Sequence, residues 1–484
     1  MFKKIYGLLI LCSVSLTLEA QVPKAVKNFV SLSSMRGASA SVVVKEITSG
    51  HVVCDYQPEL KIVPASVAKT VTTATMLELF GSDYRYPTEI EYDGTLTDGV
   101  LDGNLYIHGH GDPTIGSHYF SERPYLDEWT ASVARAGIRQ VKGRVIADES
   151  LFDEEGISSR WIKEDLGNYY ASGCYGVNIH DNSYTMYVNS TVTGRRPQIV
   201  RVEPQMSGLR FHNYLVTTSD TSEEPYIFGA PFLGDRFLYG GVPYGRSNYS
   251  FKGDIPDPPL YAAGLLSEAL KHKGIEVSGE PSTFRIESEE NRWSDKSRTV
   301  LTTTYSPVLS EIVKETNYRS INLFADAMMK SVGVGYKKRV GEVISSFGEG
   351  VAMMRRYWND KGLNADEAVM YDGCGLSPAD RLTGGFLADL LVYMATQSKE
   401  KESYMQSFPL AGSEGSVVRF LQGTHLSGKA RMKSGSMNGV RCFAGYVEEG
   451  SKRYAVVCMV NNYTCSGNEI RSEIERMLLS LFGK

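Results

Sequence analysis

Ser66 and Lys69 lie three residues apart at the start of the apolar segment PASVAKTVTTATMLELFG, residues 64–81. Pro64 and Gly81 are typical of the first and last positions of a helix, and a helix places residues i and i+3 on one face. A serine hydroxyl becomes a strong nucleophile when a neighbouring base takes its proton, and a lysine acts as that base when burial lowers its pKa. The pair indicates nucleophilic catalysis, although Ser-x-x-Lys alone also occurs by chance.

Two later motifs carry complementary chemistry. Ser320-Ile321-Asn322 lies at the head of a predicted helix, where the hydroxyl can relay a proton and the amide can hold a substrate carbonyl or orient the lysine. Lys433-Ser434-Gly435 lies on a predicted strand before a turn. Its cation and hydroxyl suit an anionic substrate end, and its glycine lets a substrate backbone approach. The three motifs in this order are far more specific than any one of them.

The elements that must position these motifs come from both ends of the chain. Residues 41–58 alternate apolar and polar side chains around Ser49 and Gly50, which predicts a β-hairpin. Near the other end, ARMKSGS, VRCFAGYV and RYAVVCMVNNY predict three strands, and an apolar helical face follows Ser466, which has the side chain of an N-cap. We expect an α/β fold in which both chain ends build a single sheet covered by helices.

The middle of the chain, roughly residues 85–295, has a different pattern. It contains short β-rich segments broken by Gly, Asp and Asn, with helical exceptions at YLDEWTASVARAG and PPLYAAGLLSEALKHKG. Helical periodicity returns after residue 300. We interpret the middle region as an insertion into the outer domain.

The composition is that of a globular protein of two or three domains, with 484 residues, 42% of them apolar and 22% charged. A net charge of −5 without a basic stripe argues against nucleic acid as a partner. Lys3 and Lys4, an apolar run over residues 5–18 and Ala20 predict a signal peptide, about residues 1–20, that directs export. The apolar run is too short to anchor the chain across a bilayer.

Six cysteines remain once this peptide is removed. Their spacings fit no zinc-binding pattern, and buried free thiols are the simplest interpretation for most of them. Cys458 and Cys465 form the one pair that we consider as a disulfide.

The order Ser-x-x-Lys, Ser-x-Asn, Lys-Ser-Gly resembles the motif set of β-lactamases and penicillin-binding proteins, with Ile321 and Ser434 in place of its Asp and Thr. Further segments are similar to the D-alanyl-D-alanine carboxypeptidase/endopeptidase family, the class C low-molecular-mass penicillin-binding proteins. They include GNLYIHGHGDPT, GRVIADESLFD, YDGCGLSPADRLT and LSGKARMKSGSMNGVRCFAGYV. Cys374 stands where this family usually has a serine. The resemblance covers nearly the whole exported chain.

The resemblance also implies a fold. It places a β-lactamase/transpeptidase-like domain, an antiparallel sheet covered by helices, at residues 21–84 and 296–484. Residues 85–295 would then form two inserted β-rich domains, one nested in the other at about residues 100–185.

The same resemblance implies roles for the motif residues. Ser66 would be the acylated nucleophile and Lys69 its base. Ser320 and Asn322 would relay a proton and position the substrate.

Further residues would bind the substrate. Lys433 and Ser434 would hold the terminal carboxylate of a peptide, and the backbone N–H groups of Ser66 and Ser436 would form an oxyanion hole. Asp165, from an inserted domain, would contact the free amino group of the peptide's diamino acid.

We therefore expect a periplasmic serine DD-peptidase that cleaves D-Ala-D-Ala termini or D-Ala to diamino-acid cross-links of peptidoglycan, with β-lactams as covalent inhibitors and no cofactor. A serine β-lactamase is one alternative, but no convincing deacylating glutamate motif follows Ser320. A non-catalytic binder of peptidoglycan or β-lactams is the other, and such a protein would be expected to lose one of the hydroxyl or amine groups.

A zinc hydrolase is a further alternative, because His108, His110 and Asp112 alternate as metal ligands do. No second cluster of ligands stands at metalloenzyme spacing, and the family that the chain resembles has a Gly-Asp-Pro turn here. We expect no metal site in this protein. The chain also lacks the Gly-x-Ser-x-Gly elbow of α/β-hydrolases.

Overall fold

The computed structural model describes residues 22–121, 123–219, 224–334 and 346–483. The predicted signal peptide, residues 1–20, lies outside these ranges. Within them, no helix combines the length and the apolar character that crossing a bilayer requires.

The N-terminal segment contains α1 (Lys24–Val30), β1 (Ser39–Glu46), β2 (Val52–Tyr56) and α2 (Lys69–Phe80). The predicted hairpin is confirmed, with Val42 opposite Tyr56. One turn of 3₁₀ helix, Ala65–Ala68, precedes α2. The predicted helix is present, and every residue from Lys69 to Leu77 is buried rather than one face alone. Helix α2 tolerates burial on all sides because its threonine hydroxyls donate to main-chain carbonyls, as Thr73 does to Lys69.

The insertion is mainly β-structure. Its first half contains β3 (Pro87–Tyr92), β4 (Thr95–Thr97), β5 (Val100–Asp102), β6 (Leu105–Gly109), α3 (Tyr125–Arg135), β7 (Gln140–Val141), β8 (Val145–Asp148), β9 (Ser183–Ser190) and β10 (Gln198–Glu203). Its second half contains β11 (Arg210–Asn213), β12 (Val216–Thr218), β13 (Tyr226–Phe228), β14 (Asp235–Tyr239), β15 (Gly241–Pro243), β16 (Arg246–Asp254), α4 (Pro258–His272), β17 (Glu276–Val277), β18 (Ser282–Thr283), α5 (Phe284–Glu289) and β19 (Thr299–Tyr305).

The strands of the insertion form two groups. One group makes a five-stranded sheet in the order β18-β8-β6-β3-β19 and a four-stranded sheet in the order β17-β7-β5-β4. Helices α3 and α4 contribute Trp129 and Leu266 to the core of this group. The other group, β9 to β16, makes three smaller sheets around a separate core that includes Tyr184 and Leu238.

The strand pairing of the insertion differs from the expected domain boundaries in two places. Residues 299–305, expected in the outer domain, form β19 and pair with β3 of the insertion. The strands that pair only with one another lie at residues 183–254, whereas we expected the nested part at about 100–185. The reason is that β6, β7 and β8 pair with β3, β17 and β18, which lie near the two ends of the insertion. The division into separately folding domains stays a prediction.

The C-terminal segment contains α6 (Leu309–Arg319), α7 (Asn322–Val334), α8 (Ser346–Asp360), α9 (Gly384–Thr396), α10 (Lys401–Gln406), β20 (Ala430–Met437), β21 (Val440–Glu449), β22 (Lys452–Asn461) and α11 (Gly467–Phe482). The three predicted strands and the last helix are confirmed. Ser466 caps α11, and Glu469 completes a capping box.

Both chain ends meet in one five-stranded antiparallel sheet, in the order β2-β1-β22-β21-β20, which confirms the predicted fold class. Side chains alternate across this sheet. Val43 faces a core built with α2 and α6 to α10, whereas Val42 and Val44 face a second core built with α1 and α11. Because β20 is an edge strand that contacts the turn before α2, it brings the Lys-Ser-Gly motif to the Ser-x-x-Lys motif.

The six cysteines in the described ranges are all free thiols, and five of them are buried. Cys458 and Cys465, the pair considered above, are therefore not linked. Cys458 is buried in the core between the sheet and α11, whereas Cys465 is half-buried beyond the end of β22.

Candidate active site

Ser66 lies half-buried in the 3₁₀ turn that leads into α2. The preceding residue, Ala65, has a φ of 46°, in the left-handed region that residues with a side chain rarely adopt. Constraint of this kind clusters at active sites. The turn therefore marks Ser66 as a position that the fold holds in place.

The predicted partner of Ser66 lies within hydrogen-bonding distance. Nζ of Lys69 lies 3.1 Å from Oγ of Ser66, 2.6 Å from Oδ1 of Asn322 and 2.7 Å from the carbonyl oxygen of Cys374. Amide and carbonyl oxygens accept hydrogen bonds but cannot donate them. When Lys69 is neutral, its two N–H groups donate to Asn322 and Cys374, and its lone pair is left for the hydroxyl of Ser66.

Burial favours this neutral form of Lys69. Its side chain is fully buried, and desolvation lowers the pKa of the amine despite the opposing influence of Cys374, Asp326 and Asp372. A lowered pKa increases the fraction of the amine that can accept a proton from Ser66.

Asn322 begins α7, and its amide is held at both ends. While Oδ1 accepts from Lys69, Nδ2 donates to the carbonyl oxygen of Tyr170 at 2.7 Å. Tyr170 belongs to the insertion, and its hydroxyl donates to Oδ1 of Asp165 at 3.1 Å. Asp165 is half-buried, and this burial raises the pKa of its carboxyl group. These contacts favour orientation of the lysine as the role of Asn322.

A turn at residues 372–377, to which the motifs assigned no role, presents the Cys374 carbonyl to Lys69. The carboxylate of Asp372 accepts hydrogen bonds from three N–H groups of this turn, at 2.6 to 3.1 Å. It also accepts one from Nε1 of Trp161, a residue of the insertion, at 2.8 Å. A buried carboxylate with four donors fixes the turn and thereby the acceptor for Lys69.

The same turn is packed against α7 and the start of α2. Oδ1 of Asp326, on α7, accepts a hydrogen bond from N of Gly373 at 2.8 Å. Asp326 is fully buried, and burial raises its pKa to about 8. Gly375 has a φ of 77°, and a Cβ there would lie 2.1 Å from the carbonyl oxygen of Ala65. Glycine is required at this contact.

Lys433 and Ser320 form a second amine–hydroxyl pair. Nζ of Lys433 donates to Oγ of Ser320 at 3.0 Å and to the carbonyl oxygen of Ser434 at 2.8 Å. Ser320 has a φ of 61° at the left-handed turn between α6 and α7. Lys433 is fully buried, and burial together with the charge of Lys69 lowers its pKa well below the usual range.

The remaining strand-motif residues line the edge of the sheet. Oγ of Ser434 lies 3.0 Å from Oγ of Ser416, an exposed residue that no motif indicated. We expected Gly435 to leave room for a substrate backbone. A Cβ on Gly435 would instead lie 2.7 Å from the carbonyl oxygen of Pro64 and 3.1 Å from N of Ser66. The glycine therefore lets β20 approach the nucleophile, and Ser436 follows it as an exposed residue.

The D-Ala-D-Ala carboxypeptidase 3 (S13) family matches residues 22–481, nearly the whole chain. The chain belongs to this family. It is therefore a serine-type D-Ala-D-Ala peptidase, and both the family and the enzyme class predicted from the motifs are confirmed.

Relatives and solved structures agree with membership of the S13 family. The D-alanyl-D-alanine carboxypeptidase of Actinomadura sp. (strain R39) is 25% identical over 437 residues, which are 88% of this chain and 78% of the relative. The crystal structure of penicillin binding protein 4 from Haemophilus influenzae shares 23% identity and covers 92% of this chain and 96% of its own, with a TM-score of 0.78. A complex of that protein with a novel β-lactam shares 20% identity, covers 92% and 97%, and has a TM-score of 0.75. The structural matches confirm the transpeptidase-like fold.

In this S13 family member Asp112 is separated from His108 and His110, the other two residues considered as metal ligands. Oδ1 of Asp112 accepts hydrogen bonds from N and Oγ1 of Thr114 at 2.8 and 2.7 Å. His108 and His110 lie beside Glu89 on the sheet of the insertion. A second group of donor atoms, from Asp326, Asp372 and Cys374, lies beneath Lys69, but both carboxylates there support the 372–377 turn.

Proposed function

We propose that this S13 family member is an exported serine DD-peptidase that acts through an acyl-enzyme on Ser66. Its substrates are D-Ala-D-Ala termini of peptidoglycan stem peptides, cross-links between D-Ala and a diamino acid, or both. One observation carries the proposal: Oγ of Ser66 lies 3.1 Å from Nζ of fully buried Lys69, whose other two partners can only accept hydrogen bonds. The nucleophile, Ser66, and its base, Lys69, are thus within hydrogen-bonding distance of each other.

Acylation begins with proton transfer from Ser66 to Lys69. Oγ of Ser66 attacks the carbonyl carbon of the scissile bond, the C–N bond breaks, and the departing amine takes up a proton. The backbone N–H groups of Ser66 and Ser436 bind the developing oxyanion. The close approach of Gly435, the residue before Ser436, to N of Ser66 supports this role. Water then attacks the ester and passes one proton to the Ser320–Lys433 pair, while protonated Lys69 returns its proton to Oγ of Ser66, so that the shortened peptide is released and the site is restored.

Ser320 and Lys433 supply the proton that the leaving amine takes up. The hydroxyl of Ser320 gives its proton to the departing amine and regains one from the Lys433 ammonium, to which it is hydrogen bonded at 3.0 Å. This pair explains why the site contains a second buried amine.

The terminal carboxylate of the substrate binds to Lys433 and Ser434. A bound carboxylate favours the protonated amine and so opposes the lowering of the Lys433 pKa by burial and by Lys69. Ser434 supports this contact from the edge strand, where Ser416 is its neighbour.

Asp165 binds the free amino group of the substrate's diamino acid. The hydroxyl of Tyr170 holds its carboxylate, and the carbonyl group of the same tyrosine holds Asn322. One residue of the insertion therefore connects the substrate contact with the amide that orients Lys69.

β-Lactams acylate Ser66 in the same way, because their ring amide presents a carbonyl carbon to the nucleophile. The β-lactam complex of the Haemophilus influenzae protein, which shares this fold, supports this part of the proposal. The signal peptide predicted at residues 1–20 supports export to the compartment that contains peptidoglycan.

A time course with a fluorescent penicillin tests the proposal. The mature protein and its Ser66→Ala variant are incubated with the label for hours, with Ser451→Ala, at an exposed turn, as the matched control. We expect a stable adduct on the parent and on the control and none on Ser66→Ala. Rapid turnover of the drug would identify a β-lactamase instead, and an unlabelled parent would contradict both enzymes and leave the non-catalytic binder.

Two substrates then separate the two peptidase activities. Release of D-Ala from a pentapeptide measures the carboxypeptidase, and conversion of a cross-linked muropeptide to monomers measures the endopeptidase. Loss of both in Ser66→Ala is the expected result. Residual activity of that variant on either substrate would contradict the acyl-enzyme mechanism.

A further inference from the structure

We propose that Glu89, His108 and His110 form a binding site for a zinc-class divalent metal ion on the sheet of the insertion, separate from the active site. One carboxylate oxygen and two ring nitrogens, one from each residue, all lie within 4.8 Å of one another. This inference does not depend on the proposed function of Ser66.

The sheet itself creates the cluster. Glu89 on β3 lies directly opposite His108 on β6 in the antiparallel ladder, so their side chains share one face. His110 comes directly after the end of β6, and its ring lies 4.5 Å from the ring of His108, centroid to centroid, so the two rings are on the same side of the sheet. Two of the ligands thus come from paired strands, and the third is the residue that follows the end of β6.

The distances suit a tetrahedral ion. Nε2 of His110 lies 3.3 Å from Oε2 of Glu89, and Nδ1 of His108 lies 3.8 Å from the same oxygen. Zinc bonds of about 2.0–2.1 Å to His and Glu place ligand atoms about 3.3 Å apart in a tetrahedron. The two histidine nitrogens lie within 4.8 Å of each other, so the imidazole rings have to adjust to bring the three donors around one ion.

The surroundings also suit a cation. Oγ1 of Thr303 donates to Oε1 of Glu89 at 3.4 Å and so leaves Oε2 for the histidines, as an outer-shell partner of a metal ligand does. Arg298 contacts both Glu91 and Asp148, at 3.2 and 2.7 Å.

With both histidines neutral, the carboxylates of Glu89, Glu91 and Asp148 outnumber the guanidinium of Arg298. A divalent ion would balance the remaining negative charge. Nδ1 of His108 lies 3.5 Å from Oε2 of Glu91 and makes no hydrogen bond of good geometry within the described ranges. This nitrogen is available to coordinate an ion.

Access and ligand type decide the class of ion. The side chains of Glu89, His108 and His110 are 26 to 28% exposed, so an ion can enter from solvent and keep a water molecule as its fourth ligand. Two imidazoles with one carboxylate suit zinc, whereas magnesium prefers oxygen ligands only. The bound ion would tie β3 to β6.

Calorimetric titration of the metal-free mature protein with Zn²⁺, and separately with Mg²⁺, tests the site. The variant His108→Asn/His110→Gln removes two ligands, and His51→Asn/His272→Asn, at exposed positions, is the matched control. We expect the parent and the control to bind about one Zn²⁺ per chain, and the ligand variant to bind it at least about tenfold more weakly. Mg²⁺ is not expected to bind.

Thermal unfolding provides a second readout. Zn²⁺ is expected to raise the Tm of the parent and of the control but not of the ligand variant, because an ion that binds only the folded state stabilises it. Circular dichroism checks that each variant is folded. If the double variant does not fold, Glu89→Gln replaces it in both measurements. Unchanged zinc affinity in the ligand variant, or no zinc binding by the parent at micromolar concentration, would overturn the proposal.

Discussion

The carbonyl oxygen of Cys374 accepts a hydrogen bond from Nζ of Lys69 at 2.7 Å. The thiol of the same cysteine lies with the carboxylates of Asp326 and Asp372 on the buried side of the turn. The main chain and the side chain of Cys374 therefore contact different groups. Their contributions to catalysis and to stability can be separated by substitution.

Cys374→Ser is expected to retain acylation by penicillin within about threefold, because the contact with Lys69 comes from the main chain. Burial beside the two carboxylates raises the pKa of the Cys374 thiol well above its usual range, so the thiol is not a nucleophile in the folded protein. A serine hydroxyl is a stronger donor to Oδ2 of Asp326, which has no hydrogen-bond partner of good geometry within the described ranges. We therefore expect the Tm to be unchanged or raised. A large loss of labelling would show that the thiol takes part in acylation.

Lys69→Met is expected to slow acylation of Ser66 by about 10²- to 10⁴-fold, the usual contribution of a positioned base. Methionine has a similar shape but cannot take the proton. The second-order rate of labelling by fluorescent penicillin measures the effect, and Lys399→Met, at an exposed position, serves as the control. A rate close to that of the parent would assign the base to another group.

The pH dependence of acylation is expected to report the pKa of Lys69. The neutral amine is the base, so the rate rises with pH, and burial places this rise below the pKa of about 10.4 of an ordinary lysine. Asp326 has a pKa of about 8, and once ionised its charge raises the pKa of Lys69.

Asp326→Asn removes that charge and is expected to shift the rise to lower pH. Labelling rates between about pH 6 and about pH 10 measure the shift, with Asp83→Asn, at an exposed position, as the control. A slower reaction with an unshifted profile would mean that Asp326 only supports the turn.

Asp165→Asn is expected to reduce cleavage of peptides with a free amino group by at least about tenfold, the usual effect of losing a hydrogen bond to a charged group. Penicillin lacks that amino group, so its acylation of Ser66 should be unchanged. Glu164→Gln, the exposed neighbouring acid, is the matched control. An equal loss with both reagents would indicate a structural role for Asp165.

Lys330→Met is expected to lower the free energy of unfolding by about 3 kcal/mol, because it removes a fully buried amine and leaves the carboxylate of Asp153 without its cation. Fully buried Lys330 donates to Oδ1 of Asp153 and to the carbonyl oxygens of Glu155 and Cys174, so it joins α7 to the insertion. Urea unfolding measures the loss. The partly exposed pair of Lys45 with Asp389 is the comparison, since Lys45→Met should cost at most about 1 kcal/mol. Equal losses in the two variants would contradict a special role for Lys330.

The sequence alone determined the N-terminal hairpin, the last helix and the three motifs. The alternation of residues 41–58 and the apolar face after Ser466 are local patterns, and the hairpin and α11 form where those patterns predict them. Because the order of the motifs is also read along the chain, it was sufficient to indicate the S13 family.

Tertiary structure decided which groups surround the motifs. Lys69 and Cys374 are 305 positions apart, and no periodicity relates them. The packing of α2 against the 372–377 turn directs the lone pair of Lys69 at Ser66. Tyr170 and Trp161 reach the site from the insertion, where the sequence has no pattern that predicts contact with it.

Tertiary structure also decided which residue lies beside the two histidines. His108 and His110 were visible as an alternating pair, but their third ligand depended on strand pairing. Asp112 has the spacing of a third ligand, but its carboxylate accepts a hydrogen bond from Thr114. Glu89 comes from the neighbouring strand. Local sequence fixes which face of a strand a side chain occupies, and only the register of the sheet decides what lies opposite it.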